Sequence, residues 1–347
     1  MDAAAAFSPD VIVVHAITHF LGPQDVLALQ QATGAPVIWH LMDMAVFTGG
    51  CHYAWDCRKY ETACRECPAL RLPGKTDLAA RAWEAKKQAM AAIKGHVVAG
   101  ASRLAMQARA SAVLGHLPID KIMLGLVPSE FGPKDIREER RHLDIPEDGR
   151  VVFFGVQNFD ERRKGARHLL DALRQLPAKM PAGSELPFLL IAGKPAGMPN
   201  FDSLGYRHRY LGFLNAPALA KVYAAADVFI CPSIEDSGPM MVNEALMSGT
   251  PVVAFRMGVV PDLVEPGITG EIAELGDASS LAEGLSRVLL WDDAARAQSR
   301  RRCREVAIAK SGASLQVARF VALAKSLNSG GGNCGMTASR TRSGDKG

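Results

Sequence analysis

Short apolar runs recur along the chain, each closed by glycine, proline or polar residues. Val11 to Val14, Ala35 to Trp39, His96 to Ala99 and Lys121 to Leu124 form one set. Val151 to Phe154, Phe188 to Ala192, Val228 to Cys231 and Pro251 to Phe255 form a second. Unbroken runs of this length, rather than alternating ones, are what strands buried on both faces require. Between them lie stretches with helical character. Pro23 to Ala32 is one, and Asp77 to Lys94 is another, with Asp77 as N-cap and Gly95 as its end. Further helices are expected from Ser102, over Ala166 to Leu176, over Ala216 to Ala225, and from Pro239 through Met247 with Gly249 beyond it. Strand and helix in alternation predict an α/β protein with parallel sheets. The polar, basic stretch from Pro128 to Gly149 divides the two sets. We therefore expect a first domain over 1–127 and a second over 128–327. The second closes with helices capped by Asp277, over Arg296 to Lys310 and over Leu315 to Leu327. Residues 328–347 are rich in Gly and Ser and are expected to be disordered.

At 347 residues the chain has room for about two domains, and its 48% hydrophobic and 22% charged composition is that of a globular protein. No apolar run is long enough to span a bilayer, and the first residues lack a basic leader region. A cytoplasmic protein is expected. Formal net charge is +4. Arg340, Arg342 and Lys346 against Asp345 supply half of it from the tail, which argues against a nucleic-acid partner. The run Arg300, Arg301, Arg302 and Arg304 reads either as a solvated helix face or as a stripe drawn to anionic lipid heads, hence peripheral contact with the inner face of a membrane.

Cys51, Cys57, Cys64 and Cys67 fall within seventeen residues, and Cys64-x2-Cys67 has the spacing of a metal knuckle. A structural zinc is the reading, with an iron–sulfur cluster, four reduced thiols or a redox-labile pair as alternatives.

The most informative stretch runs from Phe229 to Phe255. It reads strand, loop, helix, turn, strand. Two acids, Asp236 and Glu244, stand with seven residues between them. A helix start offers unpaired N–H groups and partial positive charge, a ready place for phosphate. Carboxylates touching that phosphate would repel it, so they are better used on hydroxyls. The local chemistry therefore suggests a sugar nucleotide. The plain alternative makes Asp236 a helix cap and Glu244 a solvated helix residue. Farther back, Gly155 is followed by Arg163, Lys164 and Gly165 before a helix, again an arrangement that suits phosphate. Gly155 lacks the further glycines of a dinucleotide fingerprint, and no Walker A sequence is present.

The run with Asp236 and Glu244 resembles the acid-x7-acid signature of retaining glycosyltransferases of family 4, which have the GT-B fold of two Rossmann-like domains facing a cleft. The resemblance extends from about His40 to Leu290. It implies that Glu244 holds the ribose hydroxyls, and that Asp236 with the backbone of Gly238, Pro239, Met240 and Met241 holds the donor sugar and phosphates. It also implies that Lys164 and Arg163 meet the diphosphate. His40 to Tyr53 resembles a subgroup acting in bacterial polysaccharide synthesis, in which Asp43 is a cleft residue. Met42 stands where that pattern has a histidine, so His40 or His52 must substitute or the contact is lost. Val127 replaces an Asp of the inter-domain segment. Gly193 and Tyr210 to Phe213 correspond to the base-contacting turns, and the last helix crosses back onto the first domain. Family members begin with further βα units, so by resemblance this chain is shortened at its start and its first domain is incomplete.

The implied activity is retaining transfer of a sugar from a UDP- or GDP-sugar donor to a polysaccharide or lipid-linked acceptor, with no metal at the chemical step. Alternatives are a catalytically silent remnant that binds nucleotide or a partner glycosyltransferase, and a two-domain sugar-nucleotide epimerase.

Overall fold

The computed structural model describes residues 6–16, 18 and 20–329. The stretch expected to be a disordered tail lies outside the described residues from 330 onward, while Asn328 closes the last helix.

Two parallel sheets form. The first holds β1 (Ile12–Val14), β2 (Val37–Leu41), β3 (Gly95–Ala99) and β4 (Ile119–Lys121) in sequential order. The second has six strands: β5 (Val151–Asn158), β6 (Phe188–Lys194), β7 (His208–Tyr210), β8 (Val228–Cys231), β9 (Val252–Phe255) and β10 (Gly270–Ala273). Their spatial order is β10-β9-β8-β5-β6-β7. The winding reverses between β5 and β8. In open α/β sheets a ligand crevice opens there, beyond the carboxyl ends of the strands.

Gly95 does not end the 78–92 helix, as the sequence suggests. Ile93 is the C-cap, and Gly95 opens β3, where a Cβ would stand 2.3 Å from the Val37 carbonyl oxygen. Close approach of two strand backbones is what the residue permits.

Side chains alternate across the second sheet. Val151 and Phe153 join a core with the 216–225 and 240–247 helices, and Val152 and Phe154 join another with the 166–179 and 278–289 helices. The first of these cores also takes Ala101, Met123 and Leu126 from the first domain. In the first sheet, Ile38, Val98 and Ile122 are covered by Phe320, Leu323 and Leu327 of the 313–328 helix. The last helix thus lies across the first domain.

The basic run faces solvent only in part. Arg300 donates to the carbonyls of Ala224 and Ala226, Arg304 to those of Pro128, Phe131 and Met247, and Arg302 to Glu265. The carbonyls of Ala224, Ala226 and Met247 lie at the ends of the 216–225 and 240–247 helices, where they lack intrahelical partners and carry the negative end of the helix dipole. Arg300 and Arg304 are therefore committed inside the fold, whereas Arg301 and Arg302 are exposed, Arg302 paired with Glu265 at the surface. No helix among the described residues is long and apolar enough to cross a membrane.

Candidate active site

Two loops meet at the switch point. One follows β5 and carries Arg163 and Lys164; the other follows β8 and carries Asp236. Gly165 lets them touch: its φ is +71°, and a Cβ there would lie 1.8 Å from the Pro232 carbonyl oxygen. The Arg163 carbonyl accepts the Ile234 N–H at 2.8 Å. Asp236 Oδ2 then accepts from Arg163 Nη1 at 2.6 Å and from Lys164 Nζ at 2.7 Å. Its Oδ1 accepts the Gly238 N–H at 3.2 Å. Arg163 also donates to Glu161. Two cations thus face two carboxylates, and an incoming diphosphate would have to exchange with Asp236 for their hydrogen bonds. Gly238, Pro239, Met240 and Met241 lie immediately beyond, with Pro239 as N-cap of the helix Met240–Met247.

Glu244 is not a solvated helix residue. Its Oε2 accepts the Tyr223 hydroxyl at 2.9 Å. Burial pushes its carboxyl above the ordinary range, while the Tyr223 bond pulls the other way. Tyr223 is fully buried, with Phe131, Phe153 and Phe229 around its ring. Sequence reading missed Tyr223. The only signal is a large polar-tipped residue in the alanine-rich helix 216–225.

The first domain supplies Asp43 and His52. Asp43 Oδ2 lies 2.6 Å from His52 Nδ1, and its Oδ1 accepts the Ala45 N–H at 2.7 Å. His40 faces elsewhere. It is 4% exposed, its Nδ1 lies 3.0 Å from His15 Nδ1, and its ring meets Phe320 edge-on. Of the two histidines weighed as substitutes at Met42, His52 is the one in contact with Asp43. Met42, Asp43, His52, His15, His40 and Lys86 share a cavity of about 170 Å³.

Burial, then the adjacent His15, lowers the His40 ring to about 4. His40 is therefore neutral in the folded protein, whereas the unfolded chain takes up that proton near pH 6.5. Its contribution is fully present above about pH 6.5 and is lost as pH falls toward 4, by up to about 3 kcal/mol. Urea unfolding at several pH values should show this loss in the wild type relative to His40→Gln. Parallel profiles would contradict it.

The two domains touch directly over the site. The Arg163 guanidinium lies 4.6 Å from the Tyr53 ring centroid, and Arg162 lies 5.0 Å from that of Trp55. Tyr53 is pushed up to about 12 by burial and then by the charge of Asp236. Arg103 reaches Glu235 at 3.3 Å. Asp262 accepts from the Ser102 N–H, the Ser102 hydroxyl and Lys121. Between these contacts, the slot beside Met42, Ser237, Gly238 and Met240 encloses only about 20 Å³. Small-molecule sites usually enclose several hundred, so this slot as it stands has no room for a ligand of that size.

Cys51, Cys57, Cys64 and Cys67 line one cavity of about 230 Å³, apart from the cleft, and all four are free thiols. Among the described residues no group of three or more His, Cys, Asp or Glu side chains is placed to hold a metal ion as they stand.

Residues 148–290 match the family Glycosyl transferases group 1. A D-inositol 3-phosphate glycosyltransferase of Corynebacterium kroppenstedtii is 31% identical over 189 residues, which is 50% of this chain and 41% of that protein. The chain spans half or less of the length of the curated relatives it matches. Sucrose-phosphate synthase of Thermosynechococcus elongatus superposes with a TM-score of 0.71 at 21% identity, covering 95% of this chain and 76% of that one. Anabaena HepE in complex with UDP-glucose gives 0.62 at 19% identity, covering 94% and 81%. These two likenesses are of fold. The chain has the GT-B fold of two facing Rossmann-like domains, and residues 148–290, in its second domain, match the glycosyl transferases group 1.

Proposed function

We propose that this protein transfers a sugar from a nucleoside diphosphate sugar, UDP- or GDP-linked, to a polysaccharide or lipid-linked acceptor with retention of anomeric configuration. The observation that carries this reading is the meeting of Arg163, Lys164 and Asp236 at the switch point, beside a Glu244 fixed by Tyr223. Glu244 accepts the ribose hydroxyls. Arg163 and Lys164 turn from Asp236 to the diphosphate, and the freed Asp236 accepts a donor-sugar hydroxyl together with the Gly238–Met241 backbone. Asp43 and His52 face the sugar from the first domain. The acceptor oxygen attacks the anomeric carbon on the face the diphosphate leaves. As the carbon–oxygen bond to phosphate breaks, the acceptor proton passes to the departing phosphate oxygen. Negative charge develops there, where the two cations stabilise it. The UDP-glucose complex of the HepE fold relative supports a UDP donor.

A second reading, nucleotide binding without transfer, is favoured by one contact: Asp236 holds both cations itself.

Calorimetry with UDP, GDP and ADP tests the first step. One nucleotide should bind, with affinity falling about 100-fold in Glu244→Ala as charged hydrogen bonds to the ribose are lost. Glu244→Gln, which keeps an acceptor for Tyr223, controls for folding. Absence of binding, or binding indifferent to Glu244, would sink the donor site. A transferred sugar of retained configuration would exclude the second reading, and an inverted one would refute the mechanism.

A further inference from the structure

We propose that Cys51, Cys57, Cys64 and Cys67 bind one zinc ion, which fixes the 51–72 loop and so holds Tyr53 and Trp55 against Arg163 and Arg162. The loop needs such a fastening. It is longer than most structureless connections inside a compact domain, and among its described residues the only regular element is the single turn Lys59–Glu61. Its Cys64 and Cys67 are nonetheless buried. Glu66, between them, has φ +50°. A non-glycine residue in that left-handed region is costly and persists where its surroundings impose it. Here it makes the tight knuckle that turns two cysteines of one strand of chain toward the same cavity.

The surroundings suit thiolates. The Gly49 N–H points at Cys64 Sγ, 3.2 Å away, a contact of the kind that orients and stabilises a metal-bound sulfur. Asp77 Oδ2 accepts the Cys67 and Gly74 N–H groups, and its Oδ1 caps the 78–92 helix, so the knuckle is tied to rigid structure. Lys86 is held by the carbonyls of Ala45 and Thr48, within electrostatic reach of Cys51 and Cys64. Its charge offsets part of the negative charge that four thiolates leave after the metal is counted. Binding would release one proton from each thiol as its bond to zinc forms, and it requires the four side chains to turn into the cavity they share, since they are not placed as a ligand set without the metal. The consequence lies across the cleft, where Tyr53 and Trp55 stand on the two arginines of the phosphate loop.

Metal analysis of the full chain, purified without chelator, should find about one zinc per chain. Cobalt loading should give a thiolate charge-transfer band and the visible bands of a tetrahedral ion. Cys64→Ser with Cys67→Ser should lose the metal, while Cys231→Ser, a buried thiol elsewhere, should keep it. Titration of the wild type with a mercurial should release the zinc and shift the Trp55 fluorescence, a shift absent in Trp55→Phe. Folded wild type that binds neither zinc nor cobalt would overturn the proposal. So would iron with a sulfide chromophore, a disulfide among the four, or full zinc retention in the double variant.

Discussion

Lys164→Ala should lower the rate of sugar transfer by about 100-fold or more at saturating donor, the usual scale for removing one preorganised charge from a departing anion. Lys164 belongs to a loop tied down at several points. Gly165 presses it onto Pro232, the Arg163 carbonyl is bonded to Ile234, and the Lys164 ammonium is bonded to Asp236. The loop backbone is thus set before the donor arrives, and on the proposed reading the Lys164 ammonium has only to exchange Asp236 for the diphosphate. Two readouts separate this role from a merely structural one. Affinity for the nucleoside diphosphate should fall while affinity for the monophosphate changes little, because the distal phosphate is the one served. The rate constant for transfer should fall further than diphosphate affinity, because charge grows in the transition state. Unchanged transfer in the variant would remove Lys164 from the mechanism and leave its bond to Asp236 as its whole function.

Local patterns in the sequence were legible where one segment decides its own structure. The helix over 216–225 and the strand over 228–231 stand where their apolar runs place them, since Asn215 caps the one and the sheet buries the other on both faces. Asp236 and Glu244 were visible as a pair because seven residues of loop and helix connect them. Other features needed distant partners. The run beginning at Lys121 was read as a strand, yet β4 is Ile119–Lys121, and Met123 is apolar because it packs between the domains. Hydrophobicity reports burial and not the partner. Tyr223 and Glu244 lie 21 positions apart, and Ser102 and Asp262 lie 160 apart. No periodicity links such positions. His40 and His52 were indistinguishable by spacing; the fold turns one toward His15 and the other toward Asp43. The arginine run was legible only in part: Arg301 and Arg302 are exposed, as charge in sequence suggests, whereas Arg300 and Arg304 serve helix ends.

Arg140→Ala should destabilise the folded state by about 3–5 kcal/mol, the cost of leaving a buried charge without its partner. The Arg140 side chain is 4% exposed and that of Asp227 is 12% exposed. Arg140 Nη2 donates to Asp227 Oδ2 at 2.7 Å, its Nη1 to the Glu147 and Gly149 carbonyls, and its Nε to the Ala225 carbonyl. Asp227 in turn accepts the Val151 N–H at the start of β5. The 216–225 helix ends in alanines without a glycine cap, so its last carbonyls need outside donors. Arg300 serves Ala224 and Ala226, and Arg140 serves Ala225 between them. Truncating Arg140 strands Asp227 and one of these three carbonyls together. Arg140→Lys should recover only part of the loss, since one ammonium cannot span the positions a guanidinium fork reaches. Arg209→Ala, which removes an exposed pair with Asp144, should cost about 0–1 kcal/mol and serves as the reference. Urea unfolding measures all three. An Arg140→Ala shift no larger than that of Arg209→Ala would mean that the end of this helix finds water or another donor, and that the pair is dispensable. Because Arg140 and Arg300 share one helix end, their double variant should depart from additivity.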